Sequence, residues 1–292
     1  MAHIGVIGAG RVGAVLAAAL RTAGHTIAAV GGESDASRTR IETLLPGVPV
    51  RKPTDVAKAA DILLLTVPDD VLSNVVTMLA ASGAIRSGQY VVHTSGRHGA
   101  GVLAPAARRG AQVAAMHPAM TFTGTDLDLT HLPGTVFGCT AATDVRPTVE
   151  SLVADLGGRT NWVDEDQRVL YHAALAHGAN HLVTLVSQSM DLLRASGAAD
   201  PASTLRPLLQ AALDNSLKYG DAALTGPIVR GDVDTVRAHL ATLADTSPEA
   251  LASYLAMGRA TASHAVLDGR LQLDRARVIV ALLDDALVQA RS

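Results

Sequence analysis

Ile4-Gly-Val-Ile-Gly-Ala-Gly-Arg-Val-Gly13 decides the fold. Gly8, Gly10 and Gly13 fall in the spacing G-x-G-x-x-G directly after a short apolar run, and an Ala- and Leu-rich stretch follows at once. Strand, glycine turn and helix in that order form the cradle that a dinucleotide pyrophosphate requires. Gly8 allows the tight turn, Gly10 lets the backbone approach the phosphates, and Gly13 lets helix and strand pack closely. Ala9, Arg11 and Val12 complete the turn, and the helix N-terminus offers N–H donors to an anion. The competing reading is a glycine-rich turn in an α/β protein of another kind.

The rest of the first half repeats the pattern. Thr26–Val30 reads as a second strand, and Val48–Val50 as a short third after Pro46-Gly47. Asp61–Val67 is almost wholly apolar, as a strand buried on both faces of a parallel sheet must be. Tyr90–Thr94, Gln112–Met116 and Val136–Thr140 follow, then a helix near Val145–Leu156. Strands alternating with helices predict an α/β doubly wound, mainly parallel sheet. After Trp162 no strand pattern remains. Asp164–Ala195 reads as one long helix, followed by helices near Pro201–Tyr219, Asp232–Ala244, Pro248–Leu267 and Asp274–Ala290. The expected organisation is a Rossmann domain over residues 1–164 and an all-α domain over 165–292, the latter for substrate and dimerisation.

Composition narrows the function classes. The 292 residues are 48% hydrophobic but only 2% aromatic, so Ala, Leu and Val must do the packing. The net charge of −3, with scattered Lys and Arg, gives no basic stripe for nucleic acid or an anionic membrane. Cys139, the single cysteine, lies in an apolar strand pattern, which suits a buried residue in a reducing compartment. The N-terminus lacks the basic start of a signal peptide, and no stretch is long and apolar enough to span a bilayer. A cytoplasmic protein is expected.

Cofactor choice is read at the end of the second strand. An NAD site usually carries an acid there for the ribose hydroxyls. This chain has Gly31-Gly32, then Glu33, with Ser37, Arg38 and Arg40 just beyond. Hydroxyl and guanidinium groups suit a 2′-phosphate, so NADP(H) is the expected cofactor. Glu33 argues for the alternative, NAD(H), and a solvated turn starting a helix would look the same.

Five stretches carry candidate chemistry. Val67-Pro68-Asp69-Asp70 ends a central strand and should approach the cofactor ribose, unless Asp70 only caps the next helix. His93-Thr-Ser95-Gly96 ends another, where the carboxyl ends of strands form a ligand crevice. Ser95 and the Gly96 backbone suit a carboxylate or the nicotinamide amide, or an ordinary helix cap. His117-Pro-Ala-Met-Thr-Phe122 offers a histidine with a pKa near working pH, either as proton donor or as a structural group in a tight loop. On the long helix, His177, Asn180 and His181 share one face at 100° per residue, with His172 adjoining. No carboxylate or Cys completes a ligand set beside them, so no metal is expected. Arg230, in Gly226-Pro-Ile-Val-Arg230-Gly-Asp232, suits a substrate carboxylate or an ion pair with a capping Asp232.

Taken together, Gly8–Gly13, His93–Gly96, His117–Phe122, Tyr171-His172…Asn180 and Thr225–Asp232 resemble the Rossmann-like proteins with a C-terminal domain of unknown function. That family is a relative of ketopantoate reductases, pyrroline-5-carboxylate reductases and β-hydroxyacid dehydrogenases in the 6-phosphogluconate dehydrogenase-like superfamily. Some members resemble the alternative ketopantoate reductases of pantothenate synthesis. The resemblance covers nearly the whole chain. It implies NADPH-dependent reduction of a small 2-oxo acid, ketopantoate first among candidates. It also implies a site in which His172, Asn180, His117 and Ser95 act on substrate while Gly96 and Arg230 bind it. The superfamily usually puts a catalytic Lys on the first long helix of the second domain. Here the Lys residues are Lys52, Lys58 and Lys218, and aligning Asn180 puts His172 at the Lys position. An imine or imino-acid reductase and a non-catalytic NADP-binding protein are the alternatives. A homodimer is expected.

Overall fold

The computed structural model describes residues 1–32 and 34–289, so the Glu33 reading lies outside the described residues, as does the end of the expected Asp274–Ala290 helix. Seven strands form one sheet: β1 (His3–Ile7), β2 (Thr26–Gly31), β3 (Ile62–Leu65), β4 (Tyr90–His93), β5 (Gln112–Pro118), β6 (Val136–Ala141) and β7 (Arg159–Trp162). Their order is β2-β1-β3-β4-β5-β6-β7. The first five run parallel; β6 turns antiparallel to β5, and β7 runs parallel to β6. The expected doubly wound, mainly parallel sheet is the observed one. Its four-residue central strand β3 is all apolar and fully buried, because helices cover both faces.

The helices of this part are α1 (Arg11–Thr22), α2 (Asp35–Leu44), α3 (Pro53–Ala59), α4 (Asp69–Ala81), α5 (Ala104–Ala107), α6 (Leu127–His131), α7 (Arg146–Asp155) and α8 (Arg168–Leu175). Two apolar layers result. One joins α1, through Ala14, Val15, Leu16 and Leu20, to β1, Phe122 and Phe137. The other joins α4, through Leu72, Val76 and Leu79, to β3 and Val91. Both Phe side chains of the chain are buried, and Trp162 lies under the Arg146 guanidinium, 4.6 Å from ring centre. The large side chains fill gaps that Ala and Val leave.

Three expectations are corrected. Val48–Val50 makes only an isolated bridge, Val30 to Val50, because Pro49 has no N–H to continue a ladder. The edge strand β7 was not anticipated: Arg159-Thr-Asn-Trp162 is polar and short, as edge strands are. The single helix expected over Asp164–Ala195 is divided into a 3₁₀ turn at Glu165–Gln167, α8, a π-turn at Ala176–Asn180, and α9 (His181–Ala195). The π-turn takes more residues per turn than an α-helix, so the constant 100° step that put His177, Asn180 and His181 on one face beside His172 does not hold across it.

The chain forms two compact units, Met1–His177 and the residues from Gly178 onward. The division falls after His177, beyond the expected 164/165 boundary. The reason is local: Arg168, Tyr171 and His172 bind the sheet, as described below. The second unit contains α9, α10 (Pro201–Tyr219), α11 (Pro227–Arg230), α12 (Val233–Thr246), α13 (Pro248–Leu267) and α14 (Leu273–Gln289). Its core is Ile228, Val236, Leu240, Leu251, Leu255, Ile279 and Leu283, all from α11 to α14. The caps follow the sequence. Asp232 accepts from Thr235 N–H, and Ser247, with Pro248 next to it, accepts from Ala250 N–H. Among the described residues, no helix is long and apolar enough to cross a membrane.

Candidate active site

Five strands of the first unit end on one edge of the sheet, and every candidate loop of that unit leaves from it. At the end of β1, Gly8 has φ +101° and donates its N–H to Gly31 O at 2.9 Å. A Cβ at Gly8 would press on the Thr66–Val67 peptide, 2.8 Å from Val67 N, and one at Gly13 would collide with Gly8 O and the Thr66 hydroxyl. Thr66 Oγ1 donates to Gly8 O at 2.7 Å, which fixes the turn. By contrast, a Cβ at Gly10 would touch nothing nearer than 4.0 Å, and no side chain caps α1. The turn is tight against the protein and open outward, where an anion would sit.

At the end of β2, Gly32 packs on Ser37, whose N–H is held by Ser34 Oγ at 3.2 Å. Arg38 is exposed, whereas Arg40 is half-buried and donates to Ala36 O. Gly124 rests on both Arg11 and Arg40: a Cβ there would lie 2.6 Å from Arg40 Nε and 2.9 Å from Arg11 Cγ. Its loop is tied down by Asp128, which accepts from Thr123 N–H, Thr123 Oγ1 and Gly124 N–H. Burial pushes the Asp128 carboxyl up, but these bonds together hold it below its ordinary range. Arg40 is thus held against the Gly124 loop, whereas Arg38 is exposed.

The ends of β4 and β5 meet α8. His93 is fully buried; Ser95 N–H donates to its Nδ1 at 3.1 Å, so the proton is on Nε2, which donates to Gly99 O at 2.8 Å. Burial pushes its pKa down to about 4, so it stays neutral as a structural hub. Ser95 is nearly buried too, and its Oγ accepts from His98 N–H. Glu165 accepts from Ala100 and Gly101 N–H at 2.8 and 2.9 Å, tying the start of α8 to this loop. Val67 and Pro68 lie between the glycine turn and α4, and Asp69 pairs with Arg97 at 3.4 Å across the ends of β3 and β4.

Gly96 is the point of convergence. A Cβ there would collide with the His172 ring and lie 3.1 Å from His117 Nε2. The two imidazoles stand edge to face, centroids 5.8 Å apart. His117 Nδ1 is 3.1 Å from the Tyr171 hydroxyl, which presses on Gly138 of β6 where a Cβ would collide. Burial, then the Arg168 charge and His172, push the His117 pKa down to about 4. Burial likewise raises the Tyr171 phenol and pushes the Cys139 thiol up to about 12, which leaves Cys139 a strand residue and no nucleophile.

Arg168 underlies the cluster. Its side chain is fully buried, donating Nη1 to Gly138 O at 2.9 Å and Nη2 to Ser95 O at 2.5 Å, with the guanidinium 5.4 Å from the Tyr171 ring centre. The structure thus brings together Ser95, Gly96, His117 and His172. Asn180 and Arg230, both exposed, belong to the second unit. The sequence reading passed over Arg168 and gave Tyr171 no role. A signal was there: Arg168, Tyr171 and His172 stand at i, i+3 and i+4, one face of a helix.

Comparisons agree with this architecture. Residues 1–118 match the model of the Rossmann-like domain, and residues 135–261 match that of a domain of unknown function, DUF2520. The site cluster draws on both: Gly96 and His117 fall in the first match, Arg168, Tyr171 and His172 in the second. No curated protein matches the chain. Among solved structures, a Bacteroides fragilis protein described as an NADP oxidoreductase is 21% identical, with a TM-score of 0.74 over 89% of this chain and 97% of that one. A reductive aminase from Aspergillus terreus, solved with NADPH4, cyclohexanone and allyl amine, is 18% identical with a TM-score of 0.60 over 100% and 95%. Plasmodium falciparum pyrroline carboxylate reductase with NADP bound is 11% identical, with a TM-score of 0.58 over 96% and 98%. At these identities the likeness establishes the fold.

Proposed function

We propose that the protein is an NADPH-dependent oxidoreductase that reduces the carbonyl of a small 2-oxo acid, ketopantoate being the first substrate to test. The observation that carries the proposal is the pair of imidazoles, His117 and His172, converging over Gly96 on the same sheet edge as the glycine turn. The outward-open Gly8–Gly13 turn fits a pyrophosphate, and Ser37 at Gly32, with Arg11 and Arg40 meeting at Gly124, fits a 2′-phosphate. The NADP oxidoreductases among the structural relatives support the same reading. When bound, the cofactor supplies a hydride to a carbonyl carbon. Side chains of this chain then have two tasks: orienting the carbonyl and delivering a proton to its oxygen. The absence of a side chain at Gly96 lets His117 and His172 pack on its backbone, and both imidazoles stay only half-buried, within reach of a substrate at this sheet edge.

Titration of NADPH and NADH fluorescence tests the cofactor, with tighter NADPH binding expected and Arg40→Ala weakening NADPH more than NADH. Steady-state NADPH oxidation with ketopantoate, other 2-oxo acids and cyclic imines tests the reaction. Turnover of imines alone moves the protein to the imine-reductase class that its reductive aminase and pyrroline carboxylate reductase relatives favour. Tight NADPH binding with no turnover leaves a cofactor-binding protein.

The homodimer is proposed through α9 and α10. Neither helix contributes to the core of the second unit, and Val183, Leu208, Leu213 and Leu217 are exposed along them. Residues 181–219 balance Asp191, Asp200 and Asp214 against Arg194, Arg206 and Lys218, so a second copy meets no net repulsion. Sedimentation analysis should give a dimer that Leu213→Glu with Leu217→Glu separates into folded monomers; a monomeric wild type overturns this.

A further inference from the structure

Arg168 raises a question that cofactor and substrate binding do not answer. A guanidinium with no exposed surface is costly unless a negative charge offsets it. Among the described residues it has no ion pair, its Nε is buried without a hydrogen-bond partner, and its two bonds go to neutral carbonyls. The group stacked against it is the Tyr171 ring. Tyr171 in turn reaches His117 Nδ1, and the other nitrogen of that imidazole, Nε2, is the one turned to Gly96. Phenol and imidazole are therefore linked, with a buried cation behind the phenol, while the imidazole packs on Gly96 and stays half-buried.

The geometry points to a proton wire: Tyr171 delivers a proton through His117 to a substrate oxygen beside Gly96, and Arg168 stabilises the phenolate left behind. This rests on the reductase reading above. In the resting state Tyr171 O–H donates to His117 Nδ1, and the imidazole proton is on Nε2. As negative charge develops on the substrate oxygen, the Nε2–H bond breaks and the new O–H bond forms. At the same time the Tyr171 O–H bond breaks and an Nδ1–H bond forms. The imidazole leaves with its tautomer reversed and its charge unchanged. As product leaves, Nδ1–H returns its proton to the phenolate and Nε2 takes one from solvent, which restores the resting state. His117 need never become cationic, in keeping with what surrounds it. Arg168, Tyr171 and His172 face it from α8, His93 from β4 and Asp69 from the start of α4. A neutral imidazole that hands on a proton needs a second donor behind it, and Tyr171 is that donor.

Long-range ¹⁵N NMR of histidine-labelled protein reads the tautomer without any substrate. The Nε2–H form of His117 at neutral pH is expected, and an Nδ1–H form would overturn the wire. Titration of ¹³Cζ-labelled tyrosine reads the cation. Arg168→Met should raise the Tyr171 pKa by about one unit or more, and an unchanged value overturns the role of Arg168. Should that variant fail to fold, Tyr171→Phe supplies the check. It removes the donor to Nδ1 and should leave His117 a mixture of tautomers, whereas an unmoved tautomer counts against the wire. Where wild-type protein turns over a 2-oxo acid, Tyr171→Phe should lower kcat about 100-fold with KM and the NADPH Kd within about twofold. Undiminished kcat overturns the proposal. Absence of wild-type turnover overturns the reductase reading alone, because the two spectroscopic results stand apart from it.

Discussion

The two compact units bury different things. Gln89, His93, Ser95, Asp128 and Arg168, the buried polar side chains among the described residues, all precede residue 178. Each is held by named partners; Gln89, for instance, donates to Ala57 and Ala60 O. The helical unit buries apolar side chains around Ile279 and Leu283, with Asp232 and Ser247 at helix caps and ion pairs such as Arg259–Asp284 partly exposed. Buried polar groups demand one geometry, since an unmet partner is expensive, whereas apolar cores tolerate repacking. The difference teaches where chemistry is expected. The sheet unit has a specified interior that reaches the edge where the glycine turn and the two imidazoles lie, and the helical unit has a packed but unspecific one.

The largest effect that sharpens this contrast belongs to the glycine turn. Gly13→Val would drive a side chain into Gly8 O and Thr66. We expect NADPH affinity to fall by about 100-fold or more, with circular dichroism confirming retained helix. NADPH binding at wild-type strength would break the assignment of the turn.

Next comes the buried cation. Arg168→Ala orphans the Gly138 and Ser95 carbonyls and leaves a cavity, for a loss of about 3 kcal/mol in urea unfolding. Arg230→Ala, at an exposed position of the helical unit, should stay within about 0.5 kcal/mol. Equal losses at the two sites would mean that the interior of the sheet unit is no more specified than the rest.

Legibility of the sequence divides along the same line. The sheet was legible because apolar runs such as Ile62–Leu65 leave few alternatives, and the helical caps because Ser247-Pro248 and Asp232 carry their own local signal. Four of the six residues of the candidate site were legible as well: Ser95, Gly96, His117 and His172 stood out as polar or small residues at strand ends or in an apolar helix. Arg168 did not, because an arginine in Asp-Gln-Arg-Val-Leu looks like a solvated face, and only the tertiary contacts to β4 and β6 bury it. Nor did the π-turn, whose break in helical phase leaves no mark stronger than Gly178.

The contrast should also appear in the dependence of stability on pH. His93 and His117 have folded pKa values near 4 against about 6.5 unfolded. Between those values the unfolded chain binds protons that the folded chain refuses, so stability falls as pH drops from 6.5 to 4. The two linkages approach roughly 3 kcal/mol each at the low end. Above pH 6.5 neither contributes a slope. His117→Asn should remove about half of this dependence in urea midpoints measured from pH 7 to pH 4.5. A variant as acid-sensitive as wild type would show that His117 is not held neutral, and the contrast with the helical unit would narrow.

The smallest effect tests the other side. Gly178 begins the helical unit inside the π-turn, its φ is not positive, and a Cβ there would meet nothing within 4 Å. Glycine costs a helix up to about 1 kcal/mol relative to alanine, chiefly in backbone entropy. Gly178→Ala should therefore raise stability by about 0.5–1 kcal/mol, visible as a shift in urea midpoint with unchanged slope. The gain would say that this glycine is ordinary, as expected of a unit specified only by apolar pattern. A loss would say that the π-turn needs glycine for its backbone geometry. The stretch Ala176–Asn180 would then be a specified element in its own right, and the line between the two kinds of interior would have to move into the helical unit.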